Sequence, residues 1–171
     1  MIVVRCTAKL AAKLRVPLAE SGSSTTQLGD WYASVLHTRR GLFVLAVAKQ
    51  TLLPIVVTGR DLRSFPARLA TTLADVLARF GVPADAIARE CAAMSEVRYA
   101  KTDDRSAVGV LVDLLDRLRY DVDEEPMKPL LDITLRLATT PIVARDLIPD
   151  SATCRLFGVP TRRDRARDAG N

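Results

Sequence analysis

Two apolar runs, separated by only three residues, constrain the fold of this chain more than any other feature. Residues 42–48 and 52–58 are rich in Val, Ile, Leu and Phe, and Lys49-Gln50-Thr51 connects them. Two such runs so close together are typical of a β-hairpin. Pro54 lies inside the second run. Because proline cannot donate to a sheet ladder, we expect that strand at an edge of the sheet or at a bulge.

Amphipathic helical patterns surround this hairpin. Over residues 66–80 the apolar side chains recur at intervals of three and four, with Pro66 suited to the first turn and Gly81 to the position after the last. The patterns predict further helices over 8–15, 28–37, 84–94, 104–119 and 129–138, and short strands over 2–5 and 97–100. The chain is therefore expected to adopt an α+β fold, with a small, mainly antiparallel sheet and helices packed on one face.

The chain length suits one domain with an appended segment. We predict an α+β core domain over residues 1–125, a helical or irregular extension over 126–160 packed on that core, and a flexible basic tail over 161–171. An acidic stretch ending in Pro126 marks the first boundary, and helical periodicity is lost after residue 139.

Cysteine spacing and the length of apolar runs exclude several classes of protein. Cys6, Cys91 and Cys154 are widely separated, which argues against a disulfide framework and against a structural zinc site. No run approaches the roughly 20 apolar residues that span a bilayer, and the N-terminal run is too short for a secretory signal. We predict a cytoplasmic protein with no membrane contact and no cofactor, and leave a protein partner or self-association open.

The charge balance permits an acidic partner without requiring one. The formal net charge is +5, and arginine far outnumbers lysine. A positive balance favours contact with nucleic acid or another phosphate-bearing ligand. The same arginine excess, with scarce asparagine and lysine, is also expected from GC-rich coding DNA. The two explanations stay open.

The chemistry of the chain is bounded by one histidine. Because His37 is the single histidine of the sequence, a His-rich metal site is excluded, and any Ser-His-Asp or Cys-His arrangement must use this residue. The chain contains no P-loop, no dinucleotide-binding glycine motif and no H-E-x-x-H motif. His37 precedes Arg39-Arg40, so it is either a general base beside two cations or a solvated imidazole at the end of an element.

The first group of candidate ligand-binding residues surrounds the hairpin. Trp31 is either a stacking platform for a ligand or an anchor of the core. Arg39 and Arg40 stand just before the first hairpin strand. Together with other cations at the ends of the hairpin they would form a basic mouth for phosphate if they converge, and an ordinary charged rim if they do not. These other cations are Lys49, Arg60 and Arg63.

The second group lies in the turn before the helix predicted over 104–119. Thr102, Arg105 and Ser106 accompany the free N–H groups of a helix N-terminus, which attract anions, although a capping turn explains the same residues. We hypothesise a non-catalytic binding or regulatory module in which both groups form one patch for a phosphate-bearing partner such as nucleic acid. The alternative is a small hydrolase or transferase with an arginine-lined anionic site and His37 or Asp104 as base.

Several short patterns also occur together in a fixed order. They are Arg5-Cys6-Thr7, Trp31-Tyr32-Ala33, Arg39-Arg40, Thr51, and Lys101-Thr102-x-x-Arg105-Ser106-x-x-Gly109. As a set they resemble an uncharacterised bacterial family known only as a domain of unknown function, over about residues 2–120. The chain departs from that pattern at Ala48 and Val112, where the family pattern has asparagine. The resemblance implies a fold but no activity.

Overall fold

Five strands form one open sheet in the computed structural model, which describes residues 1–20, 22–124 and 126–168. The strands are β1 (Ile2–Cys6), β2 (Trp31–Thr38), β3 (Gly41–Ala48), β4 (Pro54–Thr58) and β5 (Val97–Lys101), and their spatial order is β4-β3-β2-β1-β5. β3 pairs antiparallel with β2 and β4, whereas β1 pairs parallel with β2 and β5. The sheet is mixed, and its longest pairing is antiparallel.

Within the described ranges, five helices fall where the sequence patterns predicted them, and two lie beyond residue 139, where helical periodicity is lost. The helices are α1 (Ala8–Leu14), α2 (Phe65–Arg79), α3 (Ala84–Ala93), α4 (Arg105–Asp123), α5 (Leu130–Ala138), α6 (Pro149–Leu156) and α7 (Arg162–Asp168), with 3₁₀ turns at Leu62–Ser64 and Val143–Arg145. Helices together with a mixed sheet confirm the predicted α+β class. None of the helices in the described ranges has the length and apolar character needed to cross a membrane.

Helices cover both faces of the sheet. Along β2, Trp31 and Val35 belong to one core cluster, while Tyr32 and Leu36 belong to the other, because alternate residues of a strand point to opposite faces. α1, α2 and α6 contribute to the core on the Trp31 face, and α4 contributes to the core on the Tyr32 face. α5 lies beside the edge strand β4 and contributes to both. The prediction of helices on one face is not confirmed. Strands apolar at consecutive positions, as β3 is, are buried on both faces.

The helix predicted over 28–37 is wrong, because Trp31–Thr38 forms the strand β2. β2 pairs with β3 along its whole length, from Trp31 opposite Ala48 to Thr38 opposite Gly41. A strand buried on both faces is apolar at nearly every position, so apolar residues also occur at helical spacing within it. The periodicity could not distinguish the two structures.

The predicted hairpin is confirmed as β3 and β4, and Pro54 begins the edge strand β4. The outer side of β4 is covered by α5. The backbone N–H of Val56 donates to the buried hydroxyl of Thr134 at 3.2 Å. A side-chain acceptor thus satisfies an edge group that would otherwise recruit another strand.

The C-terminal third packs on the same sheet, and the predicted boundaries at 125 and 160 stay predictions. α5 contributes Ile133 and Leu137 to the core on the Tyr32 face, and α6 contributes Cys154 to the core on the other face. In α7, the Arg165 guanidinium donates to the carbonyl of Phe80 at 2.8 Å. Residue 125 and residues 169–171 of the predicted tail lie outside the described residues.

Candidate functional site

The residues predicted to form one ligand-binding patch lie at separate places. α4 has 19 residues and spans about 27 Å at 1.5 Å per residue. Arg105 and Ser106 begin this helix, whereas Arg39 and Arg40 contact its far end. Trp31 is fully buried in the core on the other face of the sheet. The structure therefore does not bring the two predicted groups together.

Arg39 and Arg40 bind the C-terminus of α4. The Arg39 guanidinium donates to the carbonyl of Asp123 at 2.8 Å, and that of Arg40 donates to the carbonyl of Glu124 at 3.2 Å. The last carbonyls of a helix lack partners within the helix and carry partial negative charge. These two arginines thus have a structural explanation that involves no ligand.

The turn before α4 caps the helix. The carboxylate of Asp104 accepts from the backbone N–H groups of Ser106 and Ala107, at 2.8 and 3.1 Å. The hydrogen bond from Ala107 contributes most to lowering the pKa of Asp104. Arg145 donates to the Ser106 hydroxyl at 2.9 Å, Arg105 is exposed, and Thr102 is half-buried. A carboxylate held by two N–H groups is a poor general base.

His37 lies far from this turn. It is exposed near the end of β2, and its carbonyl accepts from Arg119, which is close to the C-terminus of α4. The alternative hypothesis needs His37 and the arginine-bearing turn in one cleft. Their positions at opposite ends of α4 do not provide that cleft.

A different group of cations does meet, around a cavity of 860 Å³. We call it the basic cavity. Its cations are Lys13, Arg15, Arg60 and Arg63, and its other side chains include Leu14, Leu42, Asp61, Leu62 and Tyr99. The cations are exposed, whereas the leucines and the tyrosine are half-buried. The cavity thus combines a charged rim with an apolar wall.

Local backbone geometry explains why the cations surround this cavity. Arg15 ends α1 in the left-handed conformation, with φ 52°, which turns the chain. After β4, Gly59 donates its N–H to the carbonyl of Leu42 at 2.7 Å. A Cβ at Gly59 would lie only 2.5 Å from Leu42 Cγ. This close approach brings residues 59–63 against the start of β3.

The cations of the basic cavity outnumber its carboxylate. Among the described residues, none of the side chains of Lys13, Arg15, Arg60 and Arg63 forms an ion pair or hydrogen bond. Asp61 accepts from the Ser64 hydroxyl at 2.7 Å and from the Arg63 N–H at 3.0 Å, and both bonds lower its pKa. Convergent unpaired cations create a positive potential that attracts anions.

Sequence reasoning found half of this rim. Arg60 and Arg63 belonged to the predicted basic mouth, but Arg39 and Arg40 lie at the α4 C-terminus instead. Lys13 and Arg15 were missed, because nothing local in the sequence relates the end of α1 to the end of β4. α1 packs across the Trp31 face and contacts the 3₁₀ turn Leu62–Ser64 after β4, and this tertiary contact brings the two segments together.

Comparison with known proteins gives a family. A family model described as Domain of unknown function (DUF6933) matches residues 3–149. No curated protein and no solved structure matches the chain. The match confirms the predicted resemblance to a domain of unknown function. It runs from β1 to the first residue of α6, and so crosses the predicted boundary after residue 125.

Proposed function

The chain belongs to this family, DUF6933, whose function is unknown, and we propose from the geometry that it binds a phosphate-bearing ligand in the basic cavity. The observation that carries this proposal is the convergence of four unpaired cations on one concave volume. A guanidinium presents parallel N–H donors that match the oxygens of a phosphate. Cavities that hold small ligands typically have volumes of about 300–1,000 Å³, and 860 Å³ falls within that range.

The proposed role is binding rather than catalysis. Besides its cations, the described lining of the cavity offers two titratable groups, Asp61 and Tyr99. Asp61 is held by the turn that follows it. Burial raises the pKa of Tyr99 above its ordinary value, which keeps the phenol protonated. Neither group is suited to remove a proton at neutral pH, so no observation favours the hydrolase or transferase alternative at this cavity.

Calorimetric titration with pyrophosphate tests the proposal. We expect binding to the wild-type chain that weakens as salt is added, because counterions screen exposed charges. The double variant Arg60→Gln/Arg63→Gln should lose roughly tenfold or more in affinity, since each phosphate contact made by an arginine is charge-assisted. The matched control Arg39→Gln/Arg40→Gln removes the same charge at the α4 C-terminus and should bind like the wild type.

A single-stranded oligonucleotide, titrated in parallel, distinguishes a small ligand from a polymer. Nucleic acid carries the same phosphate chemistry, and its binding weakens steeply with salt. Equal losses in the two double variants, or no pyrophosphate binding at low salt, would contradict the proposed site.

A further inference from the structure

A second cavity lies where the chain leaves the parallel strands. β1 and β5 are adjacent and parallel, yet α1, which follows β1, packs on the Trp31 face, while α4, which follows β5, packs on the Tyr32 face. Because the chain leaves β1 toward one face of the sheet and α4 covers the other, a crevice opens beyond the end of β1, between β2 and α4. A cavity of 530 Å³ fills this crevice, and its described lining includes Thr7, Ser34 and Val112 but no residue of β5.

β2 extends past β1 at this crevice. The last register pair between the two strands is Cys6 with Ala33, and β2 continues to Thr38. The N–H of Thr7 donates to the carbonyl of Ala33 at 3.0 Å, so the backbone groups of Ala33 point toward β1. Because strand backbone groups alternate in direction, those of Val35 and His37 point the same way. In the described chain no strand pairs with them on that side. We call residues 35–37 the open edge of β2.

The polar groups of the crevice are only partly satisfied. Thr7 Oγ1 and Ser34 Oγ lie 2.8 Å apart, and Ser34 is 2% exposed. Two hydroxyls carry two O–H donors, and the bond between them uses one. One N–H of the Arg119 guanidinium donates to the carbonyl of His37 at 3.4 Å, and the other N–H groups of this guanidinium stay available to a ligand. The crevice therefore presents a spare hydroxyl hydrogen, the edge N–H groups of β2 and the carbonyl of Val35.

The walls of the crevice add apolar surface and net positive charge. Val112 of α4 is 48% exposed there, beside the half-buried Leu115. Lys9 and Arg119 line the same cavity with a single carboxylate, that of Asp116. The crevice therefore combines three features: an apolar contact, backbone donors and acceptors in strand register, and an excess of cations. An extended peptide that carries a carboxylate matches all three.

We propose that the open edge of β2 binds a short extended peptide as an added strand, in the position that β1 would occupy beyond Cys6. Main-chain hydrogen bonds to Val35 and His37 hold the peptide, as in other cases of strand addition to a sheet edge. One of its side chains packs on Val112, and its carboxylate pairs with Arg119 and Lys9. This site is separate from the basic cavity and does not depend on the function proposed there.

The test uses the full chain, immobilised, and an equimolar mixture of random acetylated tetrapeptides with free carboxyl termini. An amidated mixture of the same peptides lacks the terminal charge. We expect retention of free-carboxylate members roughly tenfold above their amidated forms, since a charge-assisted bond is about twice as strong as a neutral one. Arg119→Gln should reduce the difference severalfold, and Lys9→Gln/Arg119→Gln should abolish it. Arg117→Gln, an exposed residue of the same helix that does not line the cavity, should preserve it.

Amide exchange locates the bound peptide. With the most strongly retained tetrapeptide present, the amides of Val35 and His37 should exchange roughly tenfold more slowly, because a new strand protects them. Equal retention of the free-carboxylate peptides by the wild type and by Arg119→Gln would overturn the proposal. So would retention that leaves exchange at Val35 and His37 unchanged.

Discussion

Arg5 Nε lies 2.7 Å from Asp30 Oδ2, and both side chains are more than nine-tenths buried. A second nitrogen of the same guanidinium lies 3.0 Å from Asp103 Oδ2, and the Tyr32 hydroxyl donates to Asp103 Oδ1 at 2.5 Å. Asp30 also accepts from the N–H and hydroxyl of Ser24. This network joins β1, the start of β2 and the turn between β5 and α4.

Replacing Arg5 should therefore destabilise the fold strongly. Arg5→Met leaves the buried Asp30 carboxylate without its cation, and removing one partner of a buried ion pair typically costs about 3–5 kcal/mol. Urea unfolding measures the loss. The control is Arg98→Met on the neighbouring strand β5, whose ion pair with Glu96 is exposed and should cost less than about 1 kcal/mol. Equal effects of the two variants would show that the Arg5 network contributes no special stability.

Asp30 gives the fold an acid-dependent stability. Burial acts to raise its pKa, but the hydrogen bonds from Ser24 and Arg5 outweigh burial, and the net pKa is lowered. A lowered folded-state pKa contributes stability that is fully present above the ordinary aspartate value of about 3.9. That contribution is lost as the pH falls through the folded-state pKa. Urea unfolding between pH 6 and pH 3 should show a steeper loss for the wild type than for Asp30→Asn. Parallel curves would refute this assignment.

Asp104 stabilises α4 as its N-terminal cap. Asp104→Ala removes the acceptor of two backbone N–H groups and should cost about 0.5–2 kcal/mol. For a chain of this size, each kcal/mol lowers Tm by about 2–4 °C. Asp113→Ala, an exposed position within the same helix, is the control and should leave Tm nearly unchanged. Pyrophosphate affinity should not change in either variant. A loss of pyrophosphate affinity in Asp104→Ala would indicate that the turn before α4 takes part in binding, which contradicts its assignment as a cap alone.

Two glycines should respond to alanine in opposite directions. Gly109 lies exposed within α4, and a Cβ there meets no atom within 4 Å. Gly109→Ala should stabilise the chain by roughly 0.5–1 kcal/mol, since alanine loses less backbone entropy in a helix. Gly59→Ala should destabilise it by about 1–3 kcal/mol, because its Cβ would displace the Leu42 side chain. Chemical denaturation of both variants checks the pair, and the same sign for both would contradict the described packing.

The sequence predicted an element correctly where its pattern of apolar residues fits only one kind of secondary structure. The amphipathic helix α2 and the β3–β4 hairpin fall where periodicity and turn spacing placed them. β2 was mistaken for a helix, because a strand covered on both faces has no alternation of apolar and polar residues. The sequence also could not show that helices cover both faces of the sheet, because an amphipathic helix such as α4 has the same pattern whichever face it covers.

The candidate site was harder to predict, because it depends on long-range topology. The similar chemistry of two distant segments suggested that Arg39, Arg40 and the turn before α4 formed one patch. Each segment instead has a local structural role at one end of the same helix. Lys13 and Arg60 are 47 positions apart in the chain, and they line one cavity because α1 contacts the 3₁₀ turn that follows β4. No local motif encodes that contact.

The most direct test of the basic cavity is an NMR titration of the isotope-labelled chain with pyrophosphate. The account predicts saturable shifts of the backbone amides at residues 13–16 and 59–63, with little change at Arg39, Arg40 and Arg105. Shifts concentrated at residues 39–40 or 102–106, or no saturable shift at low salt, would contradict it.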